Sequence, residues 1–417
     1  MDESKLAPKL LAKLQEVSPQ ELEAAPSIPV IIRYRPDVVR THTVAEDVEA
    51  TFVYELTPTV AASASGLQIG ELTEDTRIEY VWLDEEIHTC LDRSPAQIDV
   101  PAVWSAGYQG TGIRVAIVDT GLDTQHPDFA GRVAAGASFV GGDSVDDNGH
   151  GTHVAGIAAG DGSASGGMYR GIAPEAVLYV AKVLDRDGSG SMSSVMAGVE
   201  WAVGQNVQII NLSLGGSGSS DGQDALSLTC NAAVARGTVV CAAAGNAGPG
   251  SRTIGSPGAA ADVVTIGAVD RNDGIARFSS RGPTADGRTK PDVCLPGTDI
   301  RSARASGTTM GTPVNDRYTA ASGTSMATPH ASGVAALLLQ AKPSLNPSDI
   351  KRLLMDTALD LGQDANAQGA GRAQAYHALQ AALGQPIPTP EPPGEEPTPP
   401  EKPDGCLPTF LIPLVGR

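Results

Sequence analysis

Positive charge is scarce in this chain of 417 residues: 29 Lys and Arg stand against 48 Asp and Glu, a formal net charge of −19 at pH 7. A nucleic-acid binder needs clustered Lys and Arg to neutralise phosphates, so this balance excludes that class. It argues equally against adhesion to an anionic membrane surface. Long apolar runs are missing too, and none approaches the ~18 residues of a spanning helix. Aromatic residues make up 4% of the chain, which leaves the core to aliphatic and small side chains. The cysteines, Cys90, Cys230, Cys241, Cys294 and Cys406, are odd in number and far apart. With no C-x-x-C pair among them, they suit neither a disulfide framework nor a structural zinc site. The start, MDESKLAPKLLAKLQEV, has no continuous apolar core and no small-residue cleavage site, so it does not read as a secretory signal. Together with unpaired thiols this points to a reducing, cytoplasmic setting, with an extracellular one as the alternative.

What is present falls into four zones. Residues 1–90 carry an acid excess of 17 Asp and Glu over 7 Lys and Arg. Within them VIIRYR, ATFVYEL and IEYVWLD read as strands with helical stretches between, a small α+β domain. Residues 91–385 form a large glycine-rich body. Residues 386–404, PIPTPEPPGEEPTPPEKPD, are a Pro/Glu-rich linker that cannot bury a core. Residues 405–417 are a short apolar C-terminal tail.

The body alternates two kinds of segment. IRVAIVD, VLYVAKVL, VQIINLSL, GTVVCAAAG and DVVTIGAV are continuous apolar, β-branched runs, the mark of strands buried on both faces. Helical patterns such as SSVMAGVEWAV and DALSLTCNAAVARG lie between them. Such alternation predicts a mainly parallel sheet covered by helices, an α/β fold in three layers. Function in these folds gathers at the carboxyl ends of the strands.

Three residues stand where that rule looks. Asp119 ends the first strand of the body, ahead of a Thr-Gly turn. His150 opens a helix of small residues in DDNGHGTHVAGIAAG. Ser325 lies at the start of a long apolar helix in SGTSMATPHASGVAALLLQ, where the helix dipole favours developing negative charge. Taken singly, two have plainer readings: Asp119 as a turn aspartate and Ser325 as a helix cap. His150 and His153, three apart with no third ligand nearby, do not make a zinc site. Taken together they supply what a serine hydroxyl needs to become a nucleophile, a base to take its proton and an acid to orient the base. The order Asp, His, Ser differs from the Ser, acid, His order of α/β-hydrolases.

VAIVDTG, NGHGTHVAG and SGTSMATPH resemble the three signature blocks of subtilisin-like serine proteases, the subtilases, and NLSLGG, AAAGNAG, FSSRGP and KPDVCLPG extend the likeness over residues 98–380. The resemblance implies the subtilisin-like three-layer fold and a serine endopeptidase that needs no cofactor for catalysis. It implies that Asp119 orients the imidazole, His150 acts as general base and then acid, and Ser325 forms the acyl-enzyme. His153 is then structural, and Asn246 is the oxyanion-hole side chain, with the Ser325 N–H as second donor. Gly188, Ser189, Gly190 and Ser213, Leu214, Gly215 resemble the two segments that hold an extended polypeptide substrate as an added strand. Ala243, Ala244, Gly245 and Gly255 match the walls and floor of the primary pocket, which, uncharged, should take large apolar P1 residues.

IEYVWLDEEIHTC, leading into LDRSPAQIDVPAVW, resembles the end of a subtilase propeptide and the start of the mature enzyme. Residues 1–90 would then assist folding and inhibit the site, and self-cleavage would fall near the Cys90–Leu91 bond. Asp128, in HPDF, matches a carboxylate that ligates a structural Ca²⁺ in many relatives. Two other readings use the same cleft: a pseudoprotease that only binds peptides, and an esterase or peptide ligase.

Overall fold

The computed structural model describes residues 1–15, 27–35, 43–45, 48–53, 58–84, 94–216 and 218–387. The Cys90–Leu91 bond, the linker from residue 388 and the tail 405–417 lie outside them. The chain divides into two units, Met1–Thr89 and Cys90–Arg417.

In the first unit five antiparallel strands stand in the order Thr43–Ala45, Val48–Val53, Thr59–Ala64, Ile28–Tyr34, Ile78–Leu83. Alternation along Ile28–Tyr34 buries Val30 and Ile32, which pack with Leu10, Ile69 and Leu72 from the helices Pro8–Gln15 and Gly66–Glu74. Ser65 and Gln68 close a capping box at the start of the second helix. The strand Thr59–Ala64, TVAASA, escapes a search for bulky β-branched runs because most of its residues are small.

The second unit is built on seven parallel strands: β1 (Arg114–Asp119), β2 (Val133–Ser138), β3 (Val177–Lys182), β4 (Ile209–Leu212), β5 (Val239–Ala243), β6 (Val264–Val269) and β7 (Val293–Pro296). They run in the order β7-β6-β5-β4-β1-β3-β2, every neighbouring pair parallel. Five of them are the apolar runs read in the sequence. The other two, VAAGAS and VCLP, are too small-residued or too short to stand out.

Four helices cover the sheet: α1 (His150–Ala159), α2 (Met192–Gly204), α3 (Ala225–Ala235) and α4 (Thr324–Ala341). The two-residue period of β1 decides what each face meets. Val115 and Ile117 pack in one core with residues of α1 and α4, and Ala116 and Val118 in another with residues of α2 and α3. Asp119 continues the odd-numbered face, the one that α1 and α4 cover. After β1 the chain leaves toward β2 and β3, and after β4 it leaves toward β5. The switch point of the sheet therefore lies between β1 and β4, where open α/β sheets bind ligands. A small antiparallel sheet, Ile300–Ala303, Tyr318–Ala321 and Thr312–Pro313, completes the unit. Among the described residues no helix is long and apolar enough to cross a membrane.

Candidate active site

Asp119 is fully buried at the end of β1, and its Oδ1 lies 2.7 Å from His150 Nδ1 while accepting the Thr120 N–H at 2.8 Å. His150 is the first residue of α1, following Gly149 at φ +107°. The helix can come this close to β1 because position 151 has no side chain: a Cβ at Gly151 would stand 2.2 Å from the Gly121 carbonyl oxygen. Burial works to lower the His150 pKa, but the charge and hydrogen bond of Asp119, with a smaller contribution from Asp146, leave it raised above its ordinary value. His153, one turn along, is buried, and its ring reaches the Ile300 and Thr319 carbonyl oxygens through Nε2, at 3.1 and 3.2 Å. Burial pushes its pKa down to about 3, which makes it a neutral packing residue.

Ser325 is the second residue of α4. Pro329 sits in the interior of that helix rather than in its first turn, so its missing N–H leaves the Ser325 carbonyl without the usual i→i−4 donor. The Ser213 hydroxyl fills the vacancy at 2.8 Å, and the Ser325 hydroxyl donates back to the Ser213 carbonyl at 3.0 Å. In this state the nucleophile's proton thus points to Ser213, and it must turn to reach His150. Behind this pair the Asn211 amide donates to Ser213 Oγ and accepts from Ser332 Oγ, each at 2.9 Å.

Asn246 follows β5 and is exposed to the cleft. Its Oδ1 accepts from the Thr324 N–H at 2.9 Å and the Thr324 hydroxyl at 3.0 Å. An oxygen committed to donors leaves the amide NH₂ as the free end, the polarity that an oxyanion requires. Thr324, which the sequence reading passed over, therefore fixes the orientation of Asn246. Its only signal was its place beside the serine.

The remaining expected residues gather in two adjoining hollows. Gly188, Ser189, Gly190, Ser213, Leu214 and Gly215 line a cleft of about 670 Å³ with His150, Asn246 and Ser325. Ala243, Ala244, Gly245 and Gly255 line a side pocket of about 280 Å³ that also touches Asn246 and Ser325 and, among the described residues, has no ionisable side chain in its wall. Met310, not anticipated from the sequence, joins the cleft from the loop before Thr312–Pro313.

Asp128 is differently placed. It is buried, takes the Tyr318 hydroxyl on both oxygens at 3.0 and 2.9 Å, and accepts the Ala164 N–H at 3.0 Å. Ca²⁺ wants six to eight oxygen ligands. In this structure the Asp128 carboxylate serves as an acceptor for Tyr318 and for the loop that carries Ala164. Among the described residues no group of three or more His, Cys, Asp or Glu gathers as a metal site.

Comparison with known proteins gives concordant findings. The pattern of the subtilase family matches residues 110–372. Serine protease AprX of Bacillus subtilis (strain 168) is 40% identical over 335 residues, which span 74% of this chain and 76% of that protein. Subtilisin E of the same organism is 38% identical over 310 residues, covering 72% of this chain and 76% of its own length. Among solved structures, a cold adapted subtilisin-like serine proteinase superposes with a TM-score of 0.53 at 34% identity, over 64% of this chain and 88% of that one.

Proposed function

The chain belongs to the subtilase family of serine endopeptidases, and from that premise we propose that it cleaves extended polypeptides through an acyl-enzyme on Ser325. The observation that carries this is the convergence of Asp119, His150, Ser325 and Asn246 at the carboxyl ends of β1 and β5 and the head of α1 and α4. The Ser325 hydroxyl gives its proton to His150 Nε2 as Oγ attacks the scissile carbonyl carbon. The tetrahedral oxyanion takes hydrogen bonds from Asn246 Nδ2 and the Ser325 N–H. On collapse His150 returns the proton to the leaving amine, and a water activated by the same imidazole then releases the acyl group. Asp119 holds the imidazole in register and favours its cationic form.

Substrate would lie between Gly188–Gly190 and Ser213–Gly215, paired through its main chain and therefore read with broad sequence tolerance. A large apolar P1 side chain suits the uncharged pocket of Ala243, Ala244, Gly245 and Gly255. Residues 1–90 act as an inhibitory propeptide until the chain cuts itself near Cys90–Leu91. The division of the chain between Thr89 and Cys90 supports that reading. The free, buried thiols of Cys230, Cys241 and Cys294 support a reducing, cytoplasmic location.

The test is digestion of an unfolded protein substrate, with the products sequenced. Wild type should leave new termini enriched in large apolar residues on the acyl side, and Ser325→Ala should leave none. Binding of the substrate without cleavage would favour a pseudoprotease. Transfer of acyl groups to added amines in preference to water would favour a ligase.

A further inference from the structure

Asp146 lies four residues before His150 and is 3% exposed. Its carboxylate accepts five hydrogen bonds, all from neutral donors. Oδ1 takes the Thr120 hydroxyl at 2.9 Å, the Asn148 N–H at 3.1 Å and the Gly149 N–H at 2.8 Å. Oδ2 takes the Thr152 N–H at 2.8 Å and the Thr152 hydroxyl at 2.6 Å. The pattern solves a problem that α1 poses. Its N-cap is Gly149, which has no side chain to satisfy the free N–H groups of the first turn. The His150 N–H goes to Asn148 Oδ1 at 3.1 Å, the Gly151 N–H to Thr120 Oγ1 at 2.8 Å, and the Thr152 N–H to Asp146. Thr120, the neighbour of Asp119, is thereby bonded both to Asp146 and to the backbone just after His150.

We propose that Asp146 is a positioning residue of the proteolytic reaction, clamping the first turn of α1 to the strand end that carries Asp119 and setting a second carboxylate at the helix turn that begins with His150. This rests on the endopeptidase reading given above. A carboxylate at a helix N-terminus gains from the helix dipole. The clamp acts on the Asp119–His150 distance, and an error of ~1 Å in such a distance costs about 10² in rate. The charge acts on the proton: like Asp119, Asp146 favours the cationic form of His150. The Lys182 ammonium, from β3, is held by the Thr120 carbonyl and Asp147, each at 2.6 Å. His153 on α1 and His330 on α4 are buried, with pKa values pushed down to about 3 and about 4.

The experiment compares wild type, Asp146→Asn, Thr120→Val and Thr120→Ser by kcat, KM and the pH profile of kcat/KM on a soluble peptide, with thermal unfolding of each. Asp146→Asn should lower kcat by roughly tenfold or more with KM little changed, and should move the acid limb of the profile to lower pH. Thr120→Val should lower kcat while the limb stays, because the charge remains, and Thr120→Ser should restore the rate. A folded Asp146→Asn with unchanged kcat and unchanged limb overturns the proposal. Should that variant not fold, Thr120→Val decides, and a rate equal to wild type overturns it. Wild type that cleaves no faster than Ser325→Ala would instead overturn the endopeptidase reading, and this proposal with it.

Discussion

The two halves of the cleft are fastened in different ways. On the side of the base, Asp119 and His150 hang on a buried carboxylate, Asp146, and on Lys182 with its partner Asp147. On the side of the nucleophile, Ser325 and Asn246 hang on neutral groups alone: Ser213, Asn211, Ser332 and Thr324. The chemistry explains the split. A base that must accept a proton is helped by nearby negative charge. An oxyanion forming within reach of Asn246 would be repelled by it, and is better served by oriented dipoles that carry no charge of their own. Charge is placed where a cation forms and withheld where an anion forms.

That contrast can be broken from either side. The largest effect should follow Ser325→Ala, which removes the only group able to hold the acyl chain. Peptidase activity should fall by about 10⁶ in kcat, the size known for this loss in a subtilisin, as read by active-site titration and peptide turnover. Asp119→Asn comes next, with a fall of roughly 10⁴ as the imidazole loses its orienting anion. It should also shift the pH profile. The raised His150 pKa means that wild-type kcat/KM climbs only above the ordinary histidine value, because the base must be neutral. The same shift contributes stability below the unfolded-state pKa that is lost as pH rises through the folded one, while His153 and His330, buried with lowered pKa values, act in the opposite sense and cost stability as pH falls below the ordinary histidine value. In Asp119→Asn the limb should move down.

On the other half, Asn246→Ala should cost ~10²–10³ in kcat with KM nearly unchanged, again a size known from a subtilisin. Its pH limb should not move, since no charge is lost. A shifted limb in Asn246→Ala would erase the distinction between the halves. Ser213→Ala should act mainly on stability. It leaves the Ser325 carbonyl, already deprived of a donor by Pro329, without a partner, at a cost of about 1–3 kcal/mol in denaturant unfolding.

Much of this site was legible because its chemistry depends on side chains that announce themselves. Asp119, His150, Ser325 and Asn246 each sit in glycine-rich surroundings at an element boundary, and the five bulky strands of the sheet were plain from their apolar runs. What escaped shares a different trait. Thr324, Thr120 and Asp146 act by holding backbone N–H groups and other side chains, and nothing in their residue type separates them from ordinary caps and turns. The strands β2 and β7 are short or made of small residues, so hydrophobic periodicity passes over them. Asp128, in a motif the resemblance singled out, accepts from Tyr318 and a backbone N–H. Pro329 lies inside α4, and its missing donor is what ties the nucleophile's carbonyl to Ser213.

The intact mass of purified wild type, measured beside that of Ser325→Ala, tests the central claim most directly. A working triad in a self-processing precursor predicts that wild type alone loses a fragment of roughly ninety residues from its N-terminal side, the length of the Met1–Thr89 unit, while Ser325→Ala keeps it. If wild type and variant both remain at full length, residues 1–90 are not a propeptide. If both are cut at the same bond, the cut does not come from Ser325.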